Sequence, residues 1–68
     1  MGMLTYQALL SNPDNIRRIR AARRDVERMG GRVEIGAPNI AGMVLVLLHL
    51  PDTLPPEQIF PGIPFYPA

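Results

Sequence analysis

The segment Gly42–Pro51, GMVLVLLHLP, decides how the rest of this 68-residue chain must be arranged. Successive side chains of a strand point to opposite faces of the sheet, so a strand with one face in water alternates apolar and polar residues. Here nearly every position is apolar, which means that both faces need covering. The apolar run Ile40–Leu50 is about half the length that a membrane-spanning helix needs. We therefore predict the central strand of a small soluble domain.

Composition sets further bounds on the chain. Sixty-eight residues correspond to one domain, which we place over residues 1–68. The formal net charge is only +1, so no global charge calls for nucleic acid or an anionic membrane as partner. With no cysteine and a single histidine, His49, the sequence predicts neither a disulfide nor a metal site, and no cofactor.

The sequence before this segment predicts one strand and one helix. Met3–Leu10 alternates apolar and polar residues, as a half-buried strand does. Asn12 suits the N-cap of a helix, and Pro13 suits its first position. Gly30–Gly31 ends the helix, because a glycine accepts the left-handed conformation found after many helices. The apolar stripe of this helix consists of Ile16, Ile19, Ala22, Val26 and Met29.

Three strands and a short helix are predicted for the second half of the chain. Arg32–Ile35 alternates and predicts a second strand. The third strand is predicted over Ile40–Leu50, ending at Pro51 because proline cannot donate a hydrogen bond to a neighbouring strand. Leu54–Phe60 predicts a short helix with a proline in its first turn. Ile63–Tyr66 predicts a last short strand.

This order of elements favours an α+β domain of the ferredoxin-like βαββαβ type. It has a four-stranded antiparallel sheet with both helices on one face, and the first and third strands lie in the centre. The strand that contains Pro64 falls at an edge, where a missing N–H is tolerated.

The second face of such a sheet stays open. We expect one set of side chains of the third strand to enter the core, and we place the set Val44, Val46 and Leu48 on the open face. Leaving such aliphatic side chains in water forgoes roughly 1.5–3 kcal/mol each, and a patch of this kind marks an interface. A β-bulge or a tail that covers the patch within the chain is the alternative.

Three short motifs resemble a known family. They are Gly30–Val33 (GGRV) after the helix, Ile40–Gly42 (IAG) before the apolar strand, and Pro61–Tyr66 (PGIPFY) near the end. Together they resemble the propeptides of subtilisin-type serine proteases and their free-standing inhibitor relatives, over roughly Leu4 to Tyr66.

The resemblance implies a non-enzymatic partner of a subtilisin-type serine protease, acting as inhibitor and folding chaperone. Members of that family lay the open sheet face on two surface helices of the protease, and their C-terminal segment occupies the substrate cleft. Carried over to this chain, the cleft segment is Phe65, Tyr66, Pro67 and Ala68, with Ala68 nearest the catalytic serine.

The sequence contains no motif that indicates catalysis or phosphate binding. Ser11 and His49 are the only serine and histidine, and nothing in the sequence joins them into a dyad. Gly30–Gly31 lacks the spaced glycines of a phosphate loop, so a helix C-cap is preferred. The chain is therefore predicted not to be an enzyme.

Two further hypotheses stay open. One is a homodimer in which two open faces or two edge strands pair. The other is a nucleic-acid interface, since one helical side carries Arg17, Arg20, Arg24 and Arg28. Asp25 and Glu27 dilute that charge, so a solvated, salt-bridged helix face is preferred over nucleic acid.

Overall fold

The computed structural model describes residues 2–68 and shows an α+β fold. Its elements, in chain order, are β1 (Met3–Leu10), α1 (Pro13–Ala21), α2 (Arg23–Arg28), β2 (Arg32–Ile35), β3 (Val44–Pro51), α3 (Pro56–Ile59) and β4 (Tyr66–Pro67). The strands form one antiparallel sheet in the order β2-β3-β1-β4. The predicted α+β class with a four-stranded antiparallel sheet is confirmed.

The pairing of β1 with β3 forms the centre of the sheet. The two strands pair along their whole length, from Met3 opposite Pro51 to Leu10 opposite Val44. β2 lies along the outer side of β3, and the two-residue β4 lies along the outer side of β1. The strand predicted from its apolar run is therefore an inner strand.

The start of α1 follows the sequence prediction, but its predicted extent was wrong. Asn12 caps the helix by accepting a 2.8 Å hydrogen bond from the N–H of Asp14, and Pro13 occupies the first position. The single predicted helix is divided at Ala22, whose ψ of 0° departs from that of an α-helix. Ile19 and Val26, on either side of this break, are both fully buried, so the apolar stripe still faces the core.

Two glycines end α2 for two different reasons. Gly30 has a φ of 87°, and its N–H bonds to the carbonyl of Glu27 while the N–H of Gly31 bonds to the carbonyl of Val26. This pair of bonds is a Schellman motif, and it confirms the predicted C-cap. A Cβ on Gly31 would lie 2.6 Å from the carbonyl oxygen of His49, so Gly31 is required by the close approach of the chain to β3.

β3 begins later than predicted because a turn occupies the residues before it. The Oδ1 of Asn39 accepts hydrogen bonds from the N–H groups of Ala41 and Met43, which holds this turn together. The strand consequently starts at Val44 and not at Ile40. It also continues through Pro51, because β2 starts only opposite His49 and offers no acceptor at Pro51.

The last two elements are also displaced from their predicted positions. α3 is a single turn, Pro56–Ile59. Ile63 is buried, and the ring of Phe65 packs 5.9 Å from that of Phe60, so this part of the chain lies under the sheet. Pro64 also lacks the N–H that pairing needs. The last strand therefore forms at Tyr66–Pro67 and not at Ile63–Tyr66.

The core lies on one face of the sheet and is covered by the helices. It consists of Ala8, Leu10, Ile19, Val26, Val33, Val44, Val46, Leu48, Leu50, Phe60 and Ile63. The prediction that Val44, Val46 and Leu48 lie on the open face was wrong, because all three are buried in this core. A strand that is apolar on both sides does not indicate which set turns inward, and the set opposite Ala8 and Leu10 is the buried one.

Candidate docking surface

The sheet face that points away from the helices is the candidate site, and we call it the open face. Its members are Met3, Thr5, Gln7 and Leu9 from β1, Leu45, Leu47 and His49 from β3, Arg32 and Glu34 from β2, and Tyr66 from β4. Tyr66 belongs to this set because it lies directly opposite Gln7, and directly opposed residues share a face.

One end of the open face is apolar. Leu9 and Leu45 are directly opposed, and 53% and 45% of their surfaces are exposed. Tyr66 is exposed beside them. Together with Gln7, Ala8 and Pro64, these side chains line a shallow groove of about 480 Å³.

The groove forms because β4 is shorter than β1. β4 covers only Tyr6 and Gln7, so β1 continues past it with an uncovered edge. The N–H of Ala68 donates to the carbonyl of Thr5, which shows that the odd-numbered residues of β1 direct their backbone groups to the β4 side. Pro64, which lines the same groove as Leu9, cannot donate a hydrogen bond to this edge. The edge at Leu9 is thus left without a partner strand.

The other end of the open face carries a polar cluster that spans three strands. The hydroxyl of Thr5 lies 3.0 Å from Nδ1 of His49, and Nε2 of His49 lies 2.7 Å from Oε2 of Glu34. The guanidinium of Arg32 lies 3.4 Å from the same oxygen of Glu34. In the neutral ring Nε2–H donates to the carboxylate, so Nδ1 accepts from Thr5.

The carboxyl of Glu34 titrates differently from a free one. The hydrogen bond from His49 and, next, the positive charge of Arg32 hold the pKa of Glu34 below its ordinary value of 4.5. The ionised carboxylate is therefore the form that this cluster favours.

The cluster was not predicted from the sequence. Thr5 and His49 are 44 positions apart, and only the register of β1 with β3 brings them together. A hydroxyl, an imidazole and a carboxylate in a row also occur in hydrolases. Here they connect three neighbouring strands, and the adjacent pocket, lined by Met3, Gly30, Gly31, Arg32 and His49, does not include Thr5. We interpret the cluster as a polar end of the docking surface.

The predicted cleft segment is held in the fold. Phe65 is half-buried against Phe60, and Tyr66 and Pro67 form the edge strand β4. The N–H of Ala68 donates a 2.9 Å hydrogen bond to the carbonyl of Thr5. Of the predicted partner residues, Tyr66 belongs to the open face by its pairing with Gln7.

The predicted arginine stripe lies on the exposed side of α1 and α2, away from the open face. Arg17 pairs with Asp14, and Arg28 lies 2.9 Å from Asp25. Arg20 and Arg24, the other two members of the stripe, are exposed to solvent. Two of the four arginines thus have an acidic neighbour on the same helix.

Two other kinds of feature are absent from the part of the chain that the structure describes. Within residues 2–68 no helix is both long and apolar enough to cross a membrane. The same residues bring together no group of three or more histidine, aspartate or glutamate side chains that could hold a metal ion.

Comparison with known protein families, with curated proteins and with solved structures finds no match to this chain.

Proposed function

We propose that this chain is a non-enzymatic protein-interaction domain that docks through its open face. The observation that carries the proposal is the apolar end of that face, where Leu9, Leu45 and Tyr66 are exposed side by side. A small domain gains free energy by burying such a patch, at about 25 cal/mol per Å² of apolar surface. The face is also formed by paired strands of one sheet, so we expect little ordering to be needed before a partner binds.

We further propose that the fold is of the ferredoxin-like type. The strand order β2-β3-β1-β4 supports this assignment, because a split βαβ arrangement places its first and third strands in the centre. The core on one face, under the helices, is a second feature in its favour. The proposed docking mode depends on this arrangement, since it leaves the other face free.

The partner that the sequence motifs suggest is a subtilisin-type serine protease, for which the chain acts as a propeptide-like inhibitor or folding chaperone. Docking of the open face on the protease surface needs no change in the fold. Occupation of the substrate cleft by Phe65–Ala68 does need one, because Ala68 and β4 would have to separate from β1. Since only two residue pairs join β4 to β1, this separation is a local event.

A titration of a subtilisin-type protease with the purified domain tests this proposal. We expect slow, tight inhibition of the cleavage of a chromogenic peptide. Leu45→Ser should weaken inhibition by about tenfold or more, as removal of a central apolar contact does. Arg20→Ser, on the opposite side of the domain, is the matched control and should leave inhibition unchanged. No inhibition at micromolar excess would remove this protease from consideration.

Self-association is a second candidate function. In this case the open faces of two copies would form the interface of a homodimer. The exposed large hydrophobic side chains of this face include Met3, Leu9, Leu45 and Tyr66. The nucleic-acid alternative has weaker support, because Arg17 and Arg28 already have acidic neighbours.

A further inference from the structure

Ile40 is presented to solvent by a hydrogen-bonded turn. Its exposed fraction, 107%, is that of a residue with no neighbours. The turn around it is nevertheless closed by hydrogen bonds from the Asn39 N–H to the carbonyl of Met43 and from the Gly42 N–H to the carbonyl of Asn39. The Asn39 side chain adds two more, from the N–H groups of Ala41 and Met43. Ile40 is therefore an apolar side chain that projects from a hydrogen-bonded turn.

The groove beside Leu9 and Leu45 is the counterpart of this projection. It has a volume of about 480 Å³, and its six lining residues carry no charge. It also lies at the same end of the sheet as Ile40, because the turn leads directly into β3 at Val44 and Leu45 follows. One molecule thus carries, at one end, an apolar side chain without a pocket and an apolar groove without an occupant.

We propose that two copies of this chain associate by inserting Ile40 of each copy into the groove of the other. This proposal names the residues that would make the contact if the chain self-associates, and it rests on self-association as the second candidate function. Charge supports a second copy as the occupant, since the segment Gly36–Met43 and the groove are both uncharged and the whole chain carries only +1. Two copies therefore meet at this end without electrostatic repulsion.

Symmetry supports a reciprocal contact. An isologous dimer uses the same patch on both subunits, which requires projection and groove to lie near one another on each copy. Both lie at the end of the sheet where β3 begins. Two equivalent contacts would close the dimer, whereas a one-way contact would continue into a filament. The dimer would also cover Leu45, so it would compete with any other partner of the open face.

Disulfide trapping tests the contact directly, because the chain contains no cysteine. The Ile40→Cys and Leu45→Cys variants are mixed under mild oxidation. We expect the disulfide between the two variants to form about tenfold faster than the corresponding disulfide of a control pair. The control is Met29→Cys with Leu45→Cys, since Met29 is exposed on α2's side of the domain. Equal rates in the two pairs would overturn the proposal.

Sedimentation of the unmodified chain provides the second measurement. We expect a concentration-dependent monomer–dimer equilibrium that Ile40→Asp shifts to monomer, while Met29→Asp leaves it unchanged. A strict monomer up to millimolar concentration would overturn the Ile40 contact. The protease titration is independent of this result, so inhibition by a strictly monomeric chain would preserve the proposed function and refute only the dimer.

Discussion

The Nε2 of His49 lies 2.7 Å from Oε2 of Glu34, and this contact joins β3 to β2 on the open face. The other ring nitrogen of His49 contacts Thr5, so the same imidazole also joins β3 to β1. A single side chain thereby connects three of the four strands at the surface that we propose for docking. At the opposite end of this surface, Leu9 and Leu45 provide apolar contacts.

The contact between His49 and Glu34 predicts a dependence of stability on pH. The folded state lowers the pKa of Glu34 from its ordinary value of 4.5, so the folded state binds fewer protons than the unfolded state there. The resulting stabilisation is present above the unfolded pKa and is lost as the pH falls through the folded pKa. We expect Glu34→Gln to unfold at a lower temperature than the wild type at neutral pH, and this difference to disappear in acid.

Thermal unfolding from neutral to acidic pH checks this prediction. Glu27→Gln is the control, because Glu27 is exposed on α2. A destabilisation by Glu34→Gln that stays constant across the whole range would show that the effect does not come from ionisation of the carboxyl.

The two glycines after α2 predict unequal effects of the same substitution. Gly30→Ala places a Cβ on a residue with a φ of 87°, which costs about 1 kcal/mol. Gly31→Ala places a Cβ 2.6 Å from the carbonyl oxygen of His49 and 2.9 Å from a methyl carbon of Val26. Because backbone must shift to relieve this contact, we expect a loss of about 3 kcal/mol. Urea unfolding measures both losses.

Gly2→Ala is the control for this pair, since a Cβ at Gly2 meets no atom within 4 Å. The predicted order of destabilisation is Gly31→Ala, then Gly30→Ala, then Gly2→Ala. If Gly31→Ala were as stable as the control, the described approach of this chain segment to β3 would be incorrect.

The two faces of β3 predict that substitutions on the buried face lower the free energy of unfolding more than substitutions on the open face. Leu48 is completely buried, so Leu48→Ala should lower the free energy of unfolding by about 2–5 kcal/mol. Leu45 lies on the open face, so Leu45→Ala should cost about 1 kcal/mol or less. Urea unfolding of the two variants measures the difference, and similar losses for both would contradict the assignment of the faces.

Much of the fold could be predicted from local patterns. β1 and β2 have the predicted bounds because each alternates in a way that matches a half-buried strand. Asn12 and Gly30 act at the helix ends as predicted, because capping depends on residue type at a single position. The break at Ala22 could not be predicted, since the apolar stripe continues across it.

The existence of an open face could be predicted from the sequence, but the residues that form it could not. Leu45 and Val46 are equally apolar, so the sequence of β3 contains no information on which of them is buried. The register with β1 decides it, because Val46 lies opposite buried Ala8 while Leu45 lies opposite exposed Leu9. The polar cluster around His49 depends on the same register. Strand register is a long-range property that short motifs do not specify.

The most direct test of docking through the open face is a methyl NMR titration of the labelled domain with an inactivated subtilisin-type protease. The predicted result is that the methyl signals of Leu9 and Leu45 change first and most, while those of helix-side Ile16 and core Leu48 change little. Changes centred on Ile16, or the absence of any change at saturating protease, would contradict the account.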